Sequence, residues 1–335
     1  MRSRTLIRSI AIAIAATALT GAGVATAQVE PPGGRTVEPD LNVPTVACFN
    51  AQQSDPTANR VNGGPDADVL RGTSGPDIID GRGGDDTLFG LGGDDVMCGG
   101  DGTDTILSAA GNDTAHGGEG DDSITDELRG DDLLTGDAGS DTILAAAGND
   151  TIDTGGDFDD AEHVNTVDAG PGDDDVTGSK GIDRLELGQG GDEGRTGEGD
   201  DTIEGGGGRD IMISGVDDDQ VDGGFGRDFV SGTSGDDDLR GGPGPDDLRG
   251  SVGTDDLRGE AGPDTLDGGG DNDNVSGGNG DDKSLKGGDD DDRLDGGNGR
   301  DVECLGADVN DVDGEPDVDQ IRNCEDEPTS PLVSR

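Results

Sequence analysis

The nonapeptide Gly223-Gly224-Phe225-Gly226-Arg227-Asp228-Phe229-Val230-Ser231 returns at Gly241-Gly242-Pro243-Gly244-Pro245-Asp246-Asp247-Leu248-Arg249 and at Gly117-Gly118-Glu119-Gly120-Asp121-Asp122-Ser123-Ile124-Thr125. The shared pattern is Gly-Gly-x-Gly-x-Asp-x-aliphatic-x, and its sixth residue marks the period. Aspartates stand nine residues apart at Asp68, Asp77, Asp86, Asp95, Asp104, Asp113 and Asp122. After one extra residue come Asp132, Asp141 and Asp150. The series resumes at Asp174 and holds phase through Asp183, Asp192, Asp201, Asp210, Asp219, Asp228, Asp237, Asp246, Asp255, Asp264, Asp273 and Asp282, then slips once more to Asp292 and Asp301. These 25 phased units describe one small structural element stacked on itself. An acid held at one position of that element makes a repeated charge site, so the pattern points to ion binding by a solenoid.

Each part of the unit has a physical task. The first six residues, rich in Gly, form a tight turn, because Gly reaches positive φ at no steric cost. The last three form a very short strand, in which only the middle side chain points inward. That slot holds Leu70, Ile79, Leu88, Met97, Ile106, Ile124, Leu134, Ile143 and Ile152, and later Val176, Leu185, Ile203, Met212, Val221, Val230, Leu239, Leu248, Leu257, Leu266, Val275 and Leu294. Two units make a coil of 18 residues with a turn and a strand on each side. Stacked coils give two parallel ladders around a narrow aliphatic core, and about twelve coils at ~4.8 Å spacing give a rod of about 60 Å.

Composition agrees with a thin core. Hydrophobic residues are 27% and aromatic residues 1% of the 335, against 67 Gly and 78 Asp plus Glu. An ordinary globule needs far more apolar volume, and composition alone reads as disorder; the strict period argues for a solenoid. At the N-terminus, Arg2, Arg4 and Arg8 precede a short apolar run from Ile10 to Leu19 and the small-residue signal Ala25-Thr26-Ala27. This is a secretory signal peptide over residues 1–27, and its apolar run is too short to span a membrane. With no cysteine just past the cleavage point and no apolar C-terminal tail, the mature chain is expected to be secreted, extracellular and free of the membrane. Its removal takes away three arginines and no acid, moving the formal charge from −56 to −59. Such a charge repels nucleic acid and anionic lipid and attracts cations.

The domain boundaries expected are a linker and cap over 28–62, a first repeat array over 63–153, an irregular junction over 154–168, a second array over 169–304, and a cap and tail over 305–335. Cys48, Cys98, Cys304 and Cys324 are an even number in a secreted chain, which favours disulfides. The two clusters lie at opposite ends of the array and could not meet in a rod, so Cys48–Cys98 and Cys304–Cys324 are expected, each stapling an end.

The repeat resembles the RTX, or haemolysin-type, calcium-binding nonapeptide family, over about three quarters of the chain. The resemblance implies an all-β, right-handed parallel β-roll with Ca²⁺ between consecutive turns on the same side. It makes all 25 phased aspartates metal ligands, together with carbonyls of the glycine-rich turns. Same-side neighbours are then 18 residues apart, as in Asp68, Asp86, Asp104 and Asp122 against Asp77, Asp95 and Asp113. Hard-ion chemistry supports the cation independently: carboxylate and carbonyl oxygens suit Ca²⁺, whereas Mg²⁺ demands strict octahedra. An EF-hand flavour at Asp308–Asp319 lacks a closing Glu at position twelve.

Several departures stand out. The units at Ser108 and Ala145 lack the first two glycines, and Asp66 replaces the fourth-position Gly of the first unit; all three read as weaker sites. Asp126 and Lys286 read as inserted residues. Residues 154–162 form a poor unit around Asp159, and His163 to Asp168 add six residues without register, marking either a boundary between two rolls or a loop leaving one continuous roll. Gly194 empties the aliphatic slot and Ser284 occupies it before Leu285, so weakening is expected at both.

No catalytic constellation is found: His116 and His163 are the only histidines, and neither a metalloprotease nor a lipase signature occurs. Only about 35 mature residues precede the array, too few for a catalytic domain. Secreted calcium binding is therefore the leading reading. The alternative is a calcium-rigidified adhesin with an unknown glycan or cell-surface partner.

Overall fold

Apart from a small third sheet of Gln189–Gly190, Gly207–Gly208 and Phe225–Gly226, successive strands alternate between two ladders, so that the chain climbs one coil for every two units. The first sheet has 15 strands and runs from Asn59–Asn62 and Asp77–Gly83 to Val302–Leu305 and Gln320–Asn323; the second has 14 and runs from Val69–Arg71 to Asp311–Val312. The structure, a computed structural model, describes residues 57–156, 163–305, 311–312 and 320–323, all within one compact unit spanning Leu41–Arg335. The signal peptide, Cys48, Cys324, the unit around Asp159 and most of Asp308–Asp319 lie outside the described residues.

Every pairing is parallel and joins residues one coil apart, as in Ile106↔Ile124 and Leu239↔Leu257. The architecture is thus the parallel β-roll that the period predicts. Many strands are three residues long, and Thr105–Leu107 and Ser123–Thr125 each bury their middle residue and turn the flanking pair outward; others, such as Val96–Asp101 and Asp247–Val252, run on into the following turn. The aliphatic slot residues from Leu70 to Leu294 form a single buried cluster down the axis, and only Leu70, near its end, keeps as much as 8% exposure. Among the described residues no helix is long and apolar enough to cross a membrane.

The region expected to be an irregular junction needs correction in its second half. Val164–Asp168 is a strand in full register, pairing with Thr142–Leu144 on one side and Ile182–Glu186 on the other. Thr151–Asp153 likewise pairs directly with Asp175–Thr177. Both ladders therefore continue through this region, with a step of 24 residues in place of 18. The extra residues fall between Gly156 and His163, outside the described residues. Register survives because Val167 supplies a slot side chain, 1% exposed, in line with Ile143 and Leu185.

Two further expectations change. The slot emptied by Gly194 is filled from elsewhere: Leu187 is fully buried, and a Cβ added to Gly194 would meet Leu187 Cδ1 at 2.9 Å. Leu187 stands at the first turn position, usually glycine, so one departure compensates the other. Near the C-terminal end, Leu285 rather than Ser284 takes the slot opposite Leu266. The extra residue there is Lys283, whose N–H still bonds to Asp264 O at 2.8 Å while Ser284 already pairs with Thr265. It is not Lys286, which lies in the strand Ser284–Gly288. Asp126 also keeps its place, accepting from Ser108 Oγ at 3.3 Å one coil earlier, so that extra residue follows it.

Removing Leu187 should open a void that Gly194 cannot close. Leu187→Ala is expected to destabilise the calcium-loaded roll by about 2–5 kcal/mol, measured by denaturant unfolding. A loss no larger than that of an exposed position such as Leu144→Ala would show that Leu187 is not packing the gap.

Candidate metal centre

The phased aspartates stitch one coil to the next. The backbone N–H of Asp228 donates to Asp246 Oδ1 at 2.9 Å, and that of Asp246 donates to Asp264 Oδ1 at the same distance. On the opposite edge Asp237 donates to Asp255 and Asp255 to Asp273, again at 2.9 Å. The carbonyl of each aspartate takes the N–H that follows the next, as in Asp247 N to Asp228 O at 2.9 Å. All 25 sequence-predicted aspartates fall on these two edges, and all but Asp68 are buried. Where the chain carries an extra residue the contact persists, with Asp113 N to Asp132 Oδ1 at 2.7 Å and Asp282 N to Asp301 Oδ1 at 2.9 Å.

The other carboxylate oxygen is left without a donor. From Asp86 to Asp282, every phased aspartate except Asp183 has a buried Oδ2 that accepts no hydrogen bond. An ionised oxygen in that state is costly unless a cation answers it. The turn backbone keeps it bare. In most of these turns the second residue is left-handed, even where it is not glycine: Arg82 (φ 78°), Ala146 (65°), Thr233 (84°) and Glu260 (71°). The first-position glycine supplies room. A Cβ added to Gly259 would lie 2.6 Å from Asp264 Oδ2 and 2.7 Å from the Gly277 carbonyl of the next coil. Carboxylate and carbonyl oxygens thus converge on a face that has no side chain. Among the described residues no three acidic, histidine or cysteine side chains come together. An ion at a turn would therefore draw on phased carboxylate and backbone carbonyls. That all-oxygen donor set fits Ca²⁺, which accepts flexible geometry and mixed carboxylate and carbonyl ligands.

Burial and neighbouring charge act on the same groups. Burial is the main cause that pushes Asp246 up to about 6, Asp113 to about 7 and Asp122 to about 8; the N–H from the preceding coil opposes it and neighbouring carboxylates add to it.

Three predicted ligands differ from the rest. Asp68 Oδ2 accepts from Gly64 N at 2.7 Å, Asp77 Oδ2 from Thr73 N at 2.6 Å, and Asp183 Oδ2 from Ser179 N at 2.7 Å. Two edge positions carry an asparagine in place of the aspartate: Asn59, which pairs with Asp77 and donates from Nδ2 to its Oδ1 at 2.6 Å, and one inside the stack. Asn165 stands in the ladder, taking the Asp141 N–H on Oδ1 at 2.9 Å. Sequence reading missed it because its spacing from Asp141 is 24 residues; the run Val164-Asn165-Thr166-Val167, an amide in place of the acid two residues before an aliphatic, was the available signal. The two units lacking their first glycines keep their carboxylates in place: Asp113 and Asp150 are buried with bare Oδ2, while Ser108 and Ala145 occupy the first turn position. Cys98 is buried in the strand Val96–Asp101.

A β-roll whose two edges carry a ladder of buried aspartates defines a class of ion-binding repeat proteins. The model of the RTX calcium-binding nonapeptide repeat matches this chain in adjoining and overlapping stretches, from residues 62–97 and 99–125 to 249–283 and 284–303. The chain belongs to that family, and the repeat is a non-catalytic structural module. No curated protein matches the chain as a relative.

The raised pKa values set a pH dependence. In the compact ion-free roll burial carries Asp246 to about 6 and Asp122 to about 8, against about 3.9 in an unfolded chain. The folded state therefore holds more protons, and its stability is greatest at low pH and falls as pH rises through 6 to 8. In calcium-free buffer, circular dichroism is expected to show more β-structure at pH 5 than at pH 8, and added Ca²⁺ at pH 7 should release protons. Equal order at both pH values would contradict the raised pKa values.

Proposed function

We propose that this chain is a secreted protein that binds several Ca²⁺ ions along both edges of its roll and depends on them for its fold. The observation that carries the reading is the row of buried Oδ2 atoms without donors. The ligands proposed are the phased aspartates whose Oδ2 lacks a donor and the carbonyls of the adjoining turns. Export rests on the features of residues 1–27. The two arrays are proposed to act as one folding unit, since both ladders continue between them.

The proposed pairing of the cysteines is Cys48–Cys98 and Cys304–Cys324. The strand holding Cys98 is third in the first sheet and that of Cys304 fourteenth. At ~4.8 Å per strand they lie about 50 Å apart, far beyond disulfide reach. Cys304 instead pairs in the ladder with Arg322, two residues before Cys324. Non-reducing peptide mapping checks this; a peptide joining Cys98 to Cys304 would refute it.

With calcium removed, the carboxylates face one another along each edge and the thin core does not offset their repulsion, so binding free energy is folding free energy. Circular dichroism is expected to show disorder in chelator at neutral pH and β-structure in millimolar Ca²⁺. Asp246→Asn keeps the shape of a regular site and removes its charge, and should raise the calcium midpoint by roughly tenfold, as a loss of about 1.4 kcal/mol implies. A spectrum unchanged between chelator and Ca²⁺ would sink the reading.

A further inference from the structure

Most turns take one of two states that differ in one peptide; the turns of Asp132 and Asp201 have a bare Oδ2 without a left-handed second residue. In the open state, seen at Asp246, the second turn residue Gly242 is left-handed (φ 90°) and Asp246 Oδ2 is buried without a donor. In the closed state the second residue does not take that conformation, and its N–H donates to the carboxylate instead. Gly64, Thr73 and Ser179 do this for Asp68, Asp77 and Asp183. Thr73 adds its hydroxyl to Asp77 Oδ2 at 3.1 Å.

The closed turn of Asp183 has both carboxylate oxygens satisfied, as does that of Asp77, whose Oδ1 accepts from Asn59 Nδ2 at 2.6 Å. Asp183 is wholly inaccessible to solvent. Its Oδ1 accepts from Asn165 Nδ2 at 3.0 Å and from Thr154 Oγ1 at 3.3 Å, while Ser179 N–H holds its Oδ2. Asn165 Nδ2 further donates to Ser179 Oγ at 3.1 Å. These donors come from two successive coils and occupy the oxygens a cation would take. Below Asp183 on the same edge, the ladder position is the neutral Asn165 rather than an acid.

We infer that the closed turns of Asp68, Asp77 and Asp183 bind no calcium, and that Asn165 with Asp183 divides the calcium sites of one edge into two separate runs. One run spans Asp86 to Asp141 and the other begins at Asp201. Within the folded roll the middle of that edge is held by neutral donors in place of calcium. The inference rests on the proposed calcium function and specifies which of its sites are real.

Equilibrium dialysis of the full chain against saturating Ca²⁺, with the bound metal counted by atomic emission, tests it. Asp246→Asn and Asp255→Asn, in open turns, should each lower the bound count by at least one ion. Asp183→Asn and Asp77→Asn should leave it unchanged. Circular dichroism run in parallel identifies any variant that fails to fold, and Asp77→Asn, near the end of the stack, serves if Asp183→Asn does. A count that falls with the folded closed-turn variants as it falls with Asp246→Asn would overturn the inference. A wild-type chain that binds no calcium would instead overturn the function it rests on, and the inference with it.

Discussion

At each open turn a single aspartate does two opposed things. Its Oδ1 is a structural acceptor, taking the N–H of the aspartate one coil below, as Asp246 does for Asp228. That bond fixes the distance between coils on both edges. Its Oδ2 is by the same placement withdrawn from water and left without a donor. The coils therefore cannot be stacked without creating a buried negative charge at every step. A core with one inward aliphatic per strand has little surplus to offset that cost. The fold needs either protons or cations at its edges, and at neutral pH a divalent ion with several oxygen ligands answers many carboxylates at once.

The turn backbone carries the consequence. The left-handed second residue turns its N–H away from the carboxylate, and the roll imposes this even on Thr233, a β-branched residue at φ 84°. Left-handed conformations of non-glycine residues cost of order 1–2 kcal/mol, so Thr233 is held there by its surroundings. Its partners in the ladder are Gly215 and Ser251, both of positive φ. Glycine at the fourth position has another cause: a Cβ on Gly226 would run into the Gly208 carbonyl of the coil below. The glycines of the unit thus serve two separate needs, one for coil spacing and one for access to the carboxylate.

The period of nine was enough to read the strands, the slot residues and the two edges, because stacking makes every copy of a position equivalent. What it could not show was compensation between positions of different kinds. Leu187 fills the gap at Gly194 from a turn position that the pattern reserves for glycine. Asn165 enters the ladder only through a step of 24 residues in place of 18. Nor does local sequence decide the state of a turn. Gly72-Thr73-Ser74-Gly75 is closed and Gly232-Thr233-Ser234-Gly235 is open, although the tetrapeptides are identical. Thr233 is locked between coils on both sides, whereas Thr73 sits near the end of the described stack. The state is a property of the neighbours, which a one-dimensional reading does not contain.

The irregularities also obey the stacking. An extra residue must leave the coil without disturbing either the slot or the aspartate bond, so it can only bulge at a turn or just beside it. Each insertion then appears once in each edge ladder. The steps from Asp113 to Asp132 and from Asp122 to Asp141 are both 19 residues, as are those from Asp273 to Asp292 and from Asp282 to Asp301. The larger insertion makes the steps from Asp141 to Asn165 and from Asp150 to Asp174 both 24. Across all three the acceptor distance stays between 2.7 and 3.0 Å. Lengthening a surface loop costs little entropy, whereas breaking one aspartate bond would leave a buried N–H and a second bare oxygen. The ladder bond therefore holds while the turns absorb the variation, and an insertion in this roll marks a place where the chain leaves the stack rather than an end to it.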